Sequence, residues 1–175
     1  MGQTKSCFHL DIGRLSEFAR AVQEDPERAK FAFVAKTVWR DGAVTETRAR
    51  DNVIVADEPE ALGGTDSAPD PVELLLASLT SCVSIGLVTQ AAKRGVELRD
   101  FEIEVEGDID IRGYLGDEDV RPGFGAIRYT VKVDSEAPSE LIEEIVRAAE
   151  RTSPMLDNIS HGVPVSSRVE VTATR

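Results

Sequence analysis

Two cysteines, two histidines and one tryptophan are all that this 175-residue chain holds of those types, and each shortage excludes something. Cys7 and Cys82 lie too far apart in sequence to read as the disulfide framework of a small secreted domain. With His9 and His161 they supply no group at metal-ligand spacing, so no metal and no cofactor is expected. Positive charge is also short: 20 Lys and Arg stand against 32 Asp and Glu, a net charge of -12. A surface of that sign repels nucleic acid and anionic lipid, so neither is expected as a partner. No signal peptide or lipidation motif is visible, which predicts a cytoplasmic protein.

The most informative shortage is local. Between Glu73 and Lys93 there is not one charged side chain. The run opens with Asp70-Pro71-Val72-Glu73, a helix start in which Asp70 caps, Pro71 occupies the first turn and Glu73 closes a capping box. Gly95 supplies the stop. A helix of about 36 Å is predicted. Ser78, Thr80, Ser81, Ser84, Thr89 and Gln90 interrupt its apolar character, which argues against a membrane span and for a helix buried on most sides. A chain of this length has difficulty enclosing such a helix alone, a problem that dimers commonly solve by sharing a core, so an oligomer is expected.

Around that helix the patterns alternate between the two regular periods. Leu15, Phe18, Ala19 and Val22 fall at helical spacing ahead of Pro26. Strands are predicted from Phe31 to Trp39, from Ala43 to Arg50 after the Arg40-Asp41-Gly42 turn, and over Asn52 to Ala56. Beyond the long helix, Phe101, Ile103 and Val105 alternate with glutamates, and the segment from Asp108 to Arg112 reads as an extension of that strand or a bulge. A glycine-rich loop over residues 113–125 leads to a strand over Ala126 to Val133. An amphipathic helix over Pro138 to Arg151, a short helical turn at Ser153-Pro154 and a closing strand over Val163 to Ala173 complete the chain. Hairpin-joined strands with helices gathered elsewhere predict an α+β fold with antiparallel sheets. The length suits a single domain over residues 1–175, with residues 1–30 as an N-terminal extension carrying the first helix.

The segment Pro71-Val72-Glu73-Leu74-Leu75-Leu76-Ala77-Ser78-Leu79-Thr80-Ser81-Cys82, preceded by Trp39-Arg40-Asp41-Gly42 and followed by Ser153-Pro154-Met155, resembles the OsmC/Ohr family of osmotically inducible and organic hydroperoxide resistance proteins. The resemblance covers roughly residues 31–175. It implies the OsmC-like fold, an intertwined homodimer whose sheets wrap two long central helices. It also implies a thiol peroxidase in which Cys82 attacks an organic hydroperoxide while Arg40 holds the thiolate. The family's resolving Cys falls where this chain has Ser153, and the family's thiolate-contacting Glu usually stands one residue before Glu73. Helix geometry puts Glu73 about 13 Å along the axis from Cys82 and on the opposite face, so capping is its expected role. Cys82 lies more than two turns into the helix, beyond the N-terminal dipole, and needs a cation to ionise.

The expected activity is therefore reduction of a small-molecule hydroperoxide by a one-Cys mechanism, with an external thiol as reductant, Cys82 and Arg40 as catalytic residues, and Glu73 and Ser153 nearby. Cys7 is a remote candidate resolver. Two alternatives stand beside this reading: a non-catalytic OsmC-like dimer binding a small apolar ligand, and another transfer chemistry at Cys82.

Overall fold

A computed structural model describes residues 10–172. Helix α1 (Ile12–Glu24) is capped by Asp11, and a 3-10 turn over Pro26–Ala29 follows it. Strands β1 (Lys36–Asp41), β2 (Val44–Ala49) and β3 (Asn52–Ala56) form an antiparallel meander. The long helix α2 (Pro71–Lys93) comes next. Strand β4 (Asp100–Asp108), the four-residue helix α3 (Ile111–Tyr114), strand β5 (Ala126–Asp134), helix α4 (Ser139–Arg151) and helix α5 (Pro154–His161) complete the order. β4 and β5 pair antiparallel over their whole length, from Asp100 opposite Asp134 to Asp108 opposite Ala126.

α2 begins as its sequence dictates. The Asp70 carboxylate accepts the Val72 amide at 2.6 Å, and Glu73 Oε2 accepts the Asp70 amide at 2.9 Å. One stripe of the helix, Leu79, Val83, Leu87 and Ala91, is buried. Leu87 and Ala91 form the core with Val96, Leu98, Ile145 and Ala149, roofed by Val131 and Val133 of β5. α2 and α4 cross closely at Gly86, where an added Cβ would stand 3.2 Å from that of Ala149. By length and composition α2 is apolar enough to cross a bilayer. Its stripe packed on α4 and the β4–β5 sheet is instead how a core helix behaves.

Burial on most sides, however, is not achieved within one chain. Only 17% of the most apolar stretch of α2 is buried, and Ile85 at its middle is 66% exposed. The β1–β3 sheet is bare as well: Val38, Trp39, Val53, Ile54 and Val55 are all exposed.

Three local expectations are corrected. The first strand starts at Lys36, not Phe31, because β2 ends at Ala49 and the register Lys36↔Arg48 leaves residues 31–35 without a partner. The segment after Asp108 turns into α3, since the Asp110 carboxylate accepts the Arg112 amide and starts a helix. From Val163 to Thr172 no helix or strand forms, so the closing strand is absent from the described residues; Val165, Val169 and Val171 are more than 80% exposed. Ala173 lies outside the described residues.

The loop between β3 and α2 is organised by one buried carboxylate. Asp57 Oδ2 accepts from both the amide and the hydroxyl of Thr65 and of Ser67, and Oδ1 accepts the Glu58 amide. These donors, the Thr65 hydroxyl foremost, hold its pKa far below the usual carboxylate range. Gly64 is needed here, since any Cβ would fall 1.8 Å from the Glu58 carbonyl oxygen.

Candidate functional site

Cys82 lies mid-helix on α2, one turn beyond Leu79, at the border between the buried stripe and the exposed one that contains Ala77, Ser81 and Ile85. Cys82 is a free thiol, and the residue is partly buried. Facing it is the start of α5. Ser153 is buried, and its hydroxyl donates to Cys82 Sγ at 3.2 Å while accepting the Leu156 amide at 3.2 Å. The second contact caps α5, with Pro154 in the first helical position where a missing N–H costs nothing. The cap thus fixes the rotamer that points the hydroxyl at the sulfur. The hydroxyl proton is thereby committed to the sulfur as acceptor.

Arg40 is elsewhere. It sits on β1, and its guanidinium pairs with Glu46 of β2 at 2.9 Å, with Arg48 on the other oxygen of the same carboxylate. The two cations, Arg40 first, hold Glu46 below the usual carboxylate range. Glu73 is occupied by the capping box and faces away from Cys82. Of the four residues singled out from sequence, the single chain therefore brings two together, Cys82 and Ser153. Cys7 lies outside the described residues.

Sequence reasoning missed three contributors. Glu46 competes for Arg40, and the signal was available in the hairpin pairing that sets Glu46 opposite Val38, two residues from Arg40. Tyr129 of β5 donates to Glu150 of α4 at 2.7 Å, close to the residues leading into Ser153; burial and that carboxylate push its phenol pKa up. A cavity of about 600 Å³ lies between α2, β5 and α5, lined by Leu75 and Leu79 of α2, Ile127 and Tyr129 of β5, and Met155 and Leu156 of α5; neither Cys82 nor Ser153 is part of its lining. No group of three or more His, Cys, Asp or Glu among the described residues is placed to hold a metal ion.

Residues 64–168 match the family model described as OsmC-like protein. Solved structures share the architecture at low identity. An OsmC-like protein from Mycoplasma pneumoniae aligns with a TM-score of 0.65 at 14% identity, covering 75% of this chain and 89% of that one. An organic hydroperoxide resistance protein OsmC from Legionella pneumophila aligns with a TM-score of 0.58 at 18% identity, covering 75% and 91%. An organic hydroperoxide resistance protein from Elizabethkingia anophelis aligns with a TM-score of 0.57 at 16% identity, covering 76% and 90%. No curated protein matches the sequence.

Proposed function

The chain belongs to the OsmC-like family, and on that premise we propose that it is a one-Cys thiol peroxidase of oxidative stress defence, reducing organic hydroperoxides at Cys82. Relatives of the same fold named organic hydroperoxide resistance proteins support the general role. The observation that carries the finer reading is the Ser153 hydroxyl donated to the partly buried free thiol of Cys82.

In this mechanism the Cys82 thiolate attacks the terminal peroxide oxygen. The O–O bond breaks, the departing alkoxide takes a proton to become an alcohol, and Cys82 is left as a sulfenic acid. Ser153 carries no thiol, so resolution falls to an external one. A first thiol displaces water to give a mixed disulfide, and a second releases Cys82 and leaves as the free disulfide. The balance is one hydroperoxide and two thiols in, one alcohol, one water and one disulfide out.

Thiolate formation is assigned to Arg40, released from Glu46 in a homodimer. The bare apolar residues of α2 and β1–β3 support such a dimer: an uncharged exposed helix stripe and an exposed sheet are what a second copy would cover. Purified protein given cumene hydroperoxide and dithiothreitol or dihydrolipoamide is expected to consume peroxide, and Cys82→Ser to lose that activity. Turnover no greater than the buffer blank, with no sulfenic acid trapped on Cys82, would reject the peroxidase in favour of a binding protein.

A further inference from the structure

Helix α4 carries a carboxylate where its own dipole disfavours one. Glu150 is the penultimate residue of the helix, in the last turn, where free carbonyls present partial negative charge and a cation would be the favourable neighbour. The residue is partly buried and makes no ion pair among the described residues; Arg147, one turn back, is engaged with Glu143 at 3.2 Å. Its one side-chain hydrogen bond among them comes from the Tyr129 hydroxyl of β5, at 2.7 Å. That phenol is a dependable donor, since burial and the same carboxylate keep its pKa raised.

The main chain of Glu150 continues the connection. Its carbonyl accepts the Ser153 amide at 3.1 Å, across the Thr152 bend that joins α4 to α5. Ser153 in turn donates to the Cys82 sulfur at 3.2 Å. β5 therefore reaches the cysteine through two residues, Glu150 and Ser153. The last turn of α4 is also tied at Ala149, which packs against Gly86 of α2. Ala149 and Glu150 project about 100° apart around the helix axis. Two ties at that angle fix the rotation of the turn, whereas one would let it roll about the Gly86 contact. Packing does not supply the second tie. Among the described residues, Tyr129 alone lines both the cavity between α2, β5 and α5 and a groove of about 660 Å³ bounded by Val131 of β5 and by Ile142 and Val146 of α4. With open space on either side of the ring, the hydroxyl is what joins β5 to the Ser153 end of α4.

We propose that Tyr129 is a positioning residue for Cys82: by holding Glu150 it sets the rotation of the last turn of α4 and so keeps the Ser153 hydroxyl on the sulfur. It acts through Ser153 and is not itself catalytic. Its part in turnover rests on the peroxidase reading of Cys82, but the geometry it maintains does not and is measured without peroxide.

The test uses the full chain with Cys7→Ser and Ser153→Cys, which leaves thiols at positions 82 and 153 only. Equilibration with reduced and oxidised dithiothreitol reads their effective concentration, a ruler for how well the two side chains face each other. Adding Tyr129→Phe, which keeps the ring and removes the hydroxyl, should lower that concentration about tenfold, the scale of one hydrogen bond to a charged group. Glu150→Leu should do the same, and Glu150→Gln, which keeps an acceptor for the phenol, should retain most of it. In the chain with native Ser153, Tyr129→Phe should slow sulfenic-acid trapping at Cys82, and it should add nothing in a Ser153→Ala background; a loss of general stability would slow both alike. An effective concentration unchanged by Tyr129→Phe, or equal slowing with and without the Ser153 hydroxyl, overturns the assignment. So does failure of positions 82 and 153 to pair while Tyr129 is intact. If the exchange responds as expected while the wild-type chain turns over no peroxide, the positioning role holds and the peroxidase reading alone falls.

Discussion

The hydroxyl of Ser153 reaches Cys82 across 71 positions of sequence and, with its other face, starts the helix it belongs to. One side chain therefore couples the folding of α5 to the environment of the sulfur. Ser153→Ala should lower stability by about 1 kcal/mol through the lost cap. It should also slow trapping of Cys82 by a sulfenic-acid reagent after peroxide treatment. Ser153→Thr, which retains the hydroxyl, should restore the rate; an unchanged rate in the alanine variant would remove Ser153 from the site.

The same proximity makes Ser153→Cys informative. With the two side chains already in contact, oxidation by one equivalent of peroxide should link residues 82 and 153, and intact mass under non-reducing conditions should fall by two hydrogens. A free thiol at both positions after oxidation would show that the sulfurs cannot meet.

At Gly86 the crossing of α2 over α4 leaves no room to spare, with Ala149 Cβ 3.2 Å from an added methyl and the Ala149 Cα and carbonyl oxygen at 3.4 Å. Gly86→Leu should destabilise the fold by about 1–3 kcal/mol through overpacking. Gly86→Ala should be close to neutral, because a gain of up to about 1 kcal/mol in helix propensity offsets the tight contact. Urea unfolding midpoints separate the two.

Stability against pH is governed by two neighbours pulling in opposite senses. Asp57 has its folded pKa depressed by the hydroxyls and amides around it, so its contribution is full above the unfolded value near 4 and is lost as the pH falls below that. Glu58 has its folded pKa raised, by burial first and then by Asp70, so its contribution is present below the unfolded value near 4.5 and fades as the pH rises through the folded one. Asp57→Asn should therefore destabilise at pH 7 and flatten the acid limb of a thermal melt series. Glu58→Gln should raise the melting temperature at pH 7 and leave it unchanged at pH 4.

Light scattering reads the proposed assembly directly. A particle of twice 19.0 kDa is expected, converted to a single chain by Ile85→Glu. Trp39 gives an independent signal, because it is 68% exposed in the isolated chain. Its emission should be blue-shifted in the wild type and move to the red in Ile85→Glu. A wild-type mass of one chain would leave Arg40 with Glu46 and Cys82 without a cation.

What the sequence made legible is what depends on neighbours along the chain. The capping box of α2, the Ser153-Pro154 start of α5, the hairpin at Asp41-Gly42 and the alternation of β4 and β5 all follow from residues a few positions apart. What escaped depends on partners that no local pattern names. Residues 31–35 and 163–172 have the alternation of strands but pair with no edge among the described residues, and β-structure is not a property of one strand. Asp108 to Arg112 continues the alternation of its predecessor, yet Asp110 caps a turn of helix there. At the site, the helix motif and its cysteine were found through their family likeness, with Ser153 beside them. The grip of Glu46 on Arg40 was missed because it is a cross-strand contact set by register, and the cavity because it is assembled from three distant elements.

The valine-bearing segment after Gly162 has a practical consequence for anyone handling this protein. An affinity tag or fluorescent fusion joined downstream of it would hang from an adhesive tether, not an inert one, because Val163, Val165, Val169 and Val171 have exposed side chains. Labels are better attached at the Asp117–Asp119 bend, where the backbone is solvated and the neighbouring side chains are acidic.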